Sequence, residues 1–246
     1  MAGATNPLVA TVIPILNEQN SISACLGSIV SQTISADQHI IVVLDGGSTD
    51  KSIKIIEQFI EQHTEGPEII FARNDGKYVA EARNLAMDLV PDSVKYFLEI
   101  IGHCTVKEDH IATLLREMER LESVNEQPIG ALGVKVSSRL GQLELVESWV
   151  EGALSSPLGS GSGQFDNFKG TVETSVPAFC LHSRAAIEQI GGWDTKFITS
   201  QDSDLSMRMI DAGFLLFKTD LVEVNMAKRK TLKSGAKMGV RYGFWR

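Results

Sequence analysis

Short apolar runs alternate with amphipathic stretches along the first half of the chain. Leu8 to Ile15 and Ile40 to Leu44 are almost continuously apolar and rich in β-branched residues, the pattern of strands buried on both faces. Ser21 to Gln32 instead carries its apolar residues at helical spacing. The same signals predict strands over 68–72, 94–100 and 129–136 and helices over 51–62, 79–89 and 107–122. This rhythm indicates an α/β fold, Rossmann-like, with a mostly parallel central sheet and helices on both faces.

The rhythm ends after Ser137. Residues 155–170 are rich in Gly and Ser and lack apolar periodicity, which predicts either a linker or a loop that covers a substrate. A strand over 178–181 and helices over 184–190 and 202–212 follow. We therefore divide the chain into one domain over 1–225, with halves at about 8–136 and 137–225, and a basic, aromatic tail over 226–246.

Composition narrows the class of protein. Hydrophobic residues make up 43% of the chain, enough for a substantial buried core, and no apolar run is long enough to span a bilayer. The start of the chain lacks the features of a secretion signal. Three widely spaced cysteines without a CxxC pair argue against disulfides and zinc, and they predict a reducing, cytoplasmic setting. We expect Cys25 and Cys180 to be small buried hydrophobes.

Charge is unevenly distributed. The net charge is −8, yet the segment from Met226 to the end has seven Lys or Arg and no acid, so residues 1–225 carry −15. The acidic body disfavours nucleic-acid binding. The tail could lie on an anionic membrane surface, at the inner face of the plasma membrane, or bind a diphosphate; it could equally be a solvated segment that balances the acidic body.

Polar side chains follow several predicted strands. Asn17 and Glu18 follow the first strand, Asp45 ends the second, and Gly102-His103 follows the fourth. Because ligands of parallel open sheets bind outside the carboxyl ends of the strands, these residues should share one edge with Arg83 of the third helix. The carboxylates suit a base or ribose hydroxyls and Arg83 suits a phosphate. Taken singly, Asp45-Gly46-Gly47 could be only a tight turn and Arg83 only a surface residue.

These residues also carry a resemblance. Val12 to Glu18, followed by Val42 to Asp50, resembles the opening of family 2 glycosyltransferases with the GT-A fold, and Ala82-Arg83-Asn84 is similar to a helix start of that family. Ile190 to Asp194 and Gln201 to Leu205 resemble its later Gly-Gly and acidic segments. Gly102-His103, Ser156 to Gly161 and Tyr242 to Arg246 are similar to the bacterial exopolysaccharide branch, which includes succinoglycan glucosyltransferases. Relatives often continue into membrane helices.

The resemblance implies roles for individual residues. The nucleotide of a nucleotide-sugar donor would be bound by Pro14, Asn17, Glu18, Asp45 and Arg83. Asp202 would be the general base that deprotonates the acceptor hydroxyl, unless it only caps a helix. The acceptor side would contain Glu173, Trp193 and Gln201, with Trp193 either stacked on a sugar ring or packed in the core.

The chain departs from the family pattern at the metal site. Relatives place an Asp two residues before His103, where it helps to hold Mg²⁺ or Mn²⁺; here that residue is Ile101, which cannot bind a hard cation. His103 remains as the metal candidate, because Glu99 should lie inside its strand, and Gln201 replaces the usual Glu. A leaving diphosphate must still be neutralised, either by a metal held by His103 and the phosphates or by the basic tail.

The leading hypothesis is inverting transfer of a sugar from a nucleotide diphospho-sugar, UDP-linked, to a lipid-linked or polysaccharide acceptor. Ile101 and Gln201 motivate an alternative, a catalytically degenerate protein that binds nucleotide sugars or a partner. A nucleotidyltransferase is disfavoured because no Gly-rich, basic segment follows the first strand.

Overall fold

The computed structural model describes residues 6–138 and 168–226. Most of the predicted covering loop over 155–170, and the tail beyond Met226, lie outside these residues. The strands are β1 (Val9–Ile15), β2 (His39–Asp45), β3 (Glu68–Arg73), β4 (Tyr96–Glu99), β5 (Cys104–Val106), β6 (Ile129–Ser138), β7 (Thr171–Glu173), β8 (Leu181–Ser183) and β9 (Leu215–Met226). The helices are α1 (Ile22–Val30), α2 (Ser52–Gln62), α3 (Val79–Leu89), α4 (His110–Val124), α5 (Arg184–Gln189) and α6 (Gln201–Asp211), with a 3₁₀ turn over Ala36–Gln38.

The strands form one sheet in the order β3-β2-β1-β4-β8-β6-β9-β5, with β7 paired to β9. The first four strands in this order are parallel, as predicted, and the ladder between β6 and β9 is also parallel. β8 lies antiparallel between β4 and β6, and β5 and β7 are antiparallel to β9. Most paired positions therefore lie in parallel ladders, and strands from both predicted halves share the sheet. The α/β fold expected from the sequence is confirmed.

Successive strand residues feed two separate apolar clusters, one on each face of the sheet. In β1, Val9, Ile13 and Ile15 pack with α1, α2 and α4, whereas Ala10 and Val12 pack with α3, α5 and α6. This division follows from the two-residue period of a strand and explains why these strands are apolar without interruption. The sheet is therefore covered on both faces by helices, as the sequence predicts.

Some element bounds differ from the sequence prediction. β8 begins at Leu181, three residues later than expected, because Phe179 has a left-handed backbone (φ 50°) that interrupts an extended strand. β5, β7 and β9 were not predicted. β9 carries Lys, Asp and Glu residues, and its two-residue alternation is interrupted between Thr219 and Glu223, where its register with β6 shifts. Among residues 6–138 and 168–226, no helix has both the length and the apolar character needed to cross a membrane.

Candidate functional site

Asn17, just after β1, and Asp45, at the end of β2, both accept hydrogen bonds from backbone N–H groups of the loop that follows β2. Asn17 has a left-handed backbone (φ 59°), and its Oδ1 accepts a hydrogen bond from the Thr49 N–H at 2.8 Å. The Asp45 carboxylate is 4% exposed and accepts hydrogen bonds from the backbone N–H groups of Gly47 (3.1 Å) and Ser48 (3.0 Å). Asp45 thus organises the turn that follows it, which agrees with the simpler of the two interpretations of this motif. Asn17 and Asp45 nevertheless lie at one edge, as the sequence predicts.

Glu18 and His103 form a pair at the same edge. His103 Nδ1 lies 2.7 Å from Glu18 Oε1, and Ser21 Oγ donates to Glu18 Oε2 at 2.7 Å. Gly102 allows this approach, because a Cβ atom at that position would lie 2.8 Å from Glu18 Cγ. The chain therefore brings the predicted nucleotide-binding residue and the predicted metal residue into direct contact. Pro14 lies one residue before the end of β1, half-buried.

Arg83 of α3 is buried and contacts two carboxylates. The residue is only 5% exposed, and its Nη1 is 3.0 Å from Glu99 Oε1. The same nitrogen donates a hydrogen bond to Oδ1 of Asp202. The Asp202 side chain is 46% exposed, so one guanidinium joins a buried carboxylate to one that reaches solvent. Arg83 is therefore not a surface residue, and its contacts are carboxylates; its role in binding the nucleotide stays a prediction.

Glu99 is the buried end of this arrangement. It closes β4, its N–H donates to the Cys180 carbonyl at 2.9 Å, and its Oε1 is 3.0 Å from His182 Nε2. Burial opposes ionisation of Glu99, but Arg83 and His182 outweigh it and hold the pKa of Glu99 below its ordinary value. Arg83 shows the complementary effect: burial opposes its charge, yet Asp202 and Glu99 raise its pKa. We call Arg83, Glu99, His182 and Asp202 the Arg83 cluster.

Trp193 packs beside the Arg83 cluster. It is 3% exposed, its ring meets that of His182 edge-on at 5.8 Å, and the Arg83 guanidinium lies 5.7 Å from its centroid. Asn84 holds its backbone, accepting from the Trp193 N–H at 2.9 Å and donating to the Trp193 carbonyl at 2.8 Å. The expectation that Trp193 stacks on a sugar ring is therefore corrected: its ring packs in the core, the other interpretation of this residue.

The start of α6 presents Asp202 at the sheet edge. Ser200, immediately before the helix, has a left-handed backbone (φ 66°), and no side chain caps the helix. Asp202 lies in the first turn, so the N-cap alternative does not apply to it. Gln201, the first helical residue, is partly buried, and Glu173, the last residue of β7, is exposed. These two residues stay predictions for the acceptor side.

The expected divalent cation does not fit the residues present. Ile101 packs against the apolar cluster of α1, and His103 is already paired with Glu18. Within the described parts of the chain, Glu99, Cys180 and His182 bring potential ligand atoms within 4.8 Å of one another. All three are buried, however, and the Arg83 guanidinium contacts the same Glu99 oxygen, which opposes a cation there. Burial also raises the pKa of the Cys180 thiol well above its ordinary value.

Sequence reasoning missed Glu99 and His182 as members of a site. Each is a polar residue in a short strand, and each is at most 4% exposed. Buried ionisable side chains are rare unless they are paired, so two of them on neighbouring strands were a usable signal. The sequence does not show that Arg83 contacts Glu99 and Asp202, because these carboxylates lie 16 and 119 positions away along the chain.

Comparisons with known proteins agree with this architecture. A dolichyl N-acetyl-α-D-glucosaminyl phosphate 3-β-D-2,3-diacetamido-2,3-dideoxy-β-D-glucuronosyltransferase of Methanococcus voltae is 23% identical over 237 residues, which cover 96% of this chain and 71% of the relative. The succinoglycan biosynthesis protein ExoA of Rhizobium meliloti is 25% identical over 209 residues, covering 85% of this chain and 60% of that protein.

Solved structures share the fold. The mannosyltransferase PcManGT from Pyrobaculum calidifontis, in complex with GDP-Man and Mn²⁺, superposes with a TM-score of 0.67 at 18% identity, over 92% of this chain and 58% of that one. S. aureus TarS 1-349 in complex with UDP-GlcNAc has a TM-score of 0.64 at 12% identity, over 91% and 59%. The present chain thus spans about three-fifths of these structures. The sequence model of glycosyl transferase family 2 matches residues 11–191, and the chain belongs to this family.

Proposed function

We propose that this chain transfers a sugar, with inversion, from a nucleotide diphospho-sugar, UDP-linked, to a hydroxyl of a lipid-linked or polysaccharide acceptor. The observation that carries the proposal is Asp202: a half-exposed carboxylate in the first turn of α6, held by a buried arginine at the edge of a family 2 sheet. Such a carboxylate can accept a proton from a substrate that approaches from solvent, while its contact with Arg83 fixes its position.

The chemistry follows from this placement. The base and ribose of the donor would lie against Asp45, Asn17 and Glu18 at the ends of β1 and β2. Asp202 would remove the proton of the acceptor hydroxyl as its oxygen attacks the anomeric carbon from the side opposite the leaving group. The bond from the anomeric carbon to the diphosphate oxygen then breaks, the nucleoside diphosphate leaves, and the configuration inverts.

Charge neutralisation of the leaving diphosphate is the open element of the proposal. A divalent cation would supply it as a Lewis acid, but Ile101 and the His103–Glu18 pair do not offer the oxygen ligands that Mg²⁺ or Mn²⁺ prefers. We therefore route no step through a metal. Restoring the acid with Ile101→Asp tests this account: we expect calorimetry to show donor binding that depends on Mn²⁺ in the variant and does not in the unaltered protein.

Replacement of Asp202 tests the reaction. Asp202→Asn keeps the hydrogen bond with Arg83 within reach but removes the base, so we expect turnover to fall about 10²–10⁴-fold. The assay is release of nucleoside diphosphate from UDP-glucose, UDP-N-acetylglucosamine and GDP-mannose, with calorimetry of each nucleotide to show that binding is retained. Asp211→Asn, at the exposed far end of the same helix, is the matched control and should keep full turnover. Full turnover in Asp202→Asn would sink the proposal.

A second candidate is a nucleotide-sugar-binding protein without turnover. Ile101 and Gln201, each standing where family members carry an acid, motivate it. The two functions separate in one experiment, because a binding protein gives a calorimetric signal with a donor and no release of nucleoside diphosphate in the presence of acceptor. Release above the rate of the protein-free control excludes it.

We also propose the setting of the reaction. A lipid-linked acceptor places the protein in the cytoplasm at the inner face of the plasma membrane, with the basic residues of 226–246 against anionic lipid. Sedimentation with vesicles of phosphatidylglycerol, compared with vesicles of phosphatidylcholine, measures this attraction, and it should weaken as salt is raised.

A further inference from the structure

Glu99 has no role in the reaction as proposed, yet its burial beside Arg83 is energetically costly. Its side chain and that of Arg83 are each 6% exposed. Taking two charges out of water is costly, and a buried ion pair commonly contributes less stability than apolar residues of the same volume. A buried pair directly beneath Asp202 therefore calls for an explanation other than stability.

The geometry shows what the pair touches. Arg83 Nη1 contacts Glu99 Oε1 on the buried side and Asp202 Oδ1 on the exposed side. Glu99 is itself held by the Cys180 carbonyl, which accepts from its backbone N–H, and by the ring of His182 on β8. Glu99 Oε1 lies 3.0 Å from Arg83 Nη1 without the alignment of a hydrogen bond, so the effect of this contact is mainly electrostatic.

Electrostatics gives Glu99 a specific effect on Asp202. A guanidinium alone beside Asp202 would stabilise the anion and make it a weaker base. A second carboxylate on the far side of that guanidinium cancels much of this field at Asp202. The other titratable groups that face the pair are His182 of β8 and Cys180 just before it, and neither replaces the negative charge of Glu99.

We infer that Glu99 is a positioning residue for the base of the transfer reaction: acting through Arg83, it fixes Asp202 in place and offsets the charge of the guanidinium beside it. The inference rests on the proposed function, because it needs Asp202 to be the base. It makes Glu99 part of the reaction although no atom of Glu99 reaches the substrate.

The pH profile distinguishes this role from a purely structural one. We expect Glu99→Gln to lower kcat about tenfold with little change in the KM of the donor, and to move the acid limb of the kcat profile about one unit to lower pH. Glu99→Asp, which keeps the charge, should leave the limb in place. The matched control is Glu117→Gln, since Glu117 is 7% exposed and paired with Arg120 on α4, away from the Arg83 cluster.

A second comparison covers the case in which Glu99→Gln does not fold. In Arg83→Gln/Glu99→Gln both charges are absent. Because the inference has them largely cancel at Asp202 in the wild type, the acid limb of the double variant should stay near the wild-type pH. An acid limb about one unit higher in the double variant, or a Glu99→Gln limb at the wild-type pH, overturns the inference whatever happens to kcat.

The inference and the proposed function fail in different ways. The midpoint for Asp202 can also be read without turnover, from its carboxyl ¹³C signal, identified by its loss in Asp202→Asn. Absence of turnover with every donor, or full turnover in Asp202→Asn, defeats the proposed function, while a shift of the Asp202 midpoint in Glu99→Gln still shows that Glu99 acts on Asp202 through Arg83. An Asp202 signal with the same midpoint in the wild type and Glu99→Gln defeats the inference alone.

Discussion

Two adjacent glycines provide a controlled test of how Trp193 is held. Gly191 and Gly192 have nearly the same left-handed backbone, with φ of 78° and 79°. Alanine at either position pays the cost of that backbone, about 1–2 kcal/mol. A Cβ atom at Gly191 meets nothing within 4 Å, whereas one at Gly192 would lie 2.7 Å from Asn84 Oδ1. Any difference between the two alanine variants therefore measures the Asn84 contact.

The structure sets the size of that difference. To admit the new methyl group, Asn84 must move away and give up its two hydrogen bonds to the Trp193 backbone. Each contributes about 1 kcal/mol, so Gly192→Ala should lose about 3–4 kcal/mol in total, against about 1–2 for Gly191→Ala. Urea unfolding followed by circular dichroism gives both values.

A double variant refines the comparison. In Asn84→Ala the obstructing side chain is already gone, so adding Gly192→Ala should cost only the backbone term of about 1–2 kcal/mol. Equal losses for Gly191→Ala and Gly192→Ala, or strict additivity in the double variant, would refute the claim that Asn84 locks this turn.

Three further outcomes are expected. Burial, only partly opposed by Asp109, lowers the pKa of His110 from 6.5 to about 4, so as pH falls from 6.5 towards 4 the unfolded chain binds a proton that the folded chain does not. The free energy of unfolding of His110→Leu, relative to that of the wild type, should therefore be about 2 kcal/mol higher at pH 5 than at pH 7.5, measured by urea unfolding at each pH. Gly46→Ala should destabilise by about 1–3 kcal/mol, because its Cβ would lie 2.5 Å from the Lys77 carbonyl oxygen, whereas Gly27→Ala, with open space in α1, should not destabilise. Cys25, Cys104 and Cys180 are all buried, and burial raises the pKa of Cys25 to about 12 and the pKa values of the other two above their ordinary values. A thiol reagent at pH 8 should therefore label none of the three until urea unfolds the protein, and rapid labelling of the native protein would contradict their burial.

The Ile101 substitution changes how the edge of β4 is organised. Ile101 packs against the apolar cluster that contains α1, and Cys25 Sγ lies 3.6 Å from the Ile101 carbonyl oxygen. Glu99, two residues earlier, is the last residue of β4 and contacts Arg83, which lies beside Trp193 of the other apolar cluster. The negative charge of Glu99 is therefore paired with Arg83, inside the protein.

Local sequence determined the parts of the structure that depend on near neighbours. Continuous apolar runs such as Val9–Ile15 can only be strands covered on both faces, and helical spacing of apolar residues selects one buried face for each helix. The order of strand and helix then brings Asn17, Glu18 and Asp45 to one edge, because parallel strands all end there. The positions of these three residues could be derived before any coordinates were known.

Tertiary structure alone decided which polar groups meet. Arg83 and Asp202 are 119 positions apart, and β8, which carries His182, pairs with β4 from the second half of the chain. Sequence periodicity carries no information on such pairs, because a buried charge is fixed by the one partner that offsets its desolvation, wherever that partner lies in the chain. For the same reason Trp193 could not be assigned to the core or to a sugar from its position in the sequence. Packing against His182 and Arg83 decided it, since those contacts exist only in the folded protein.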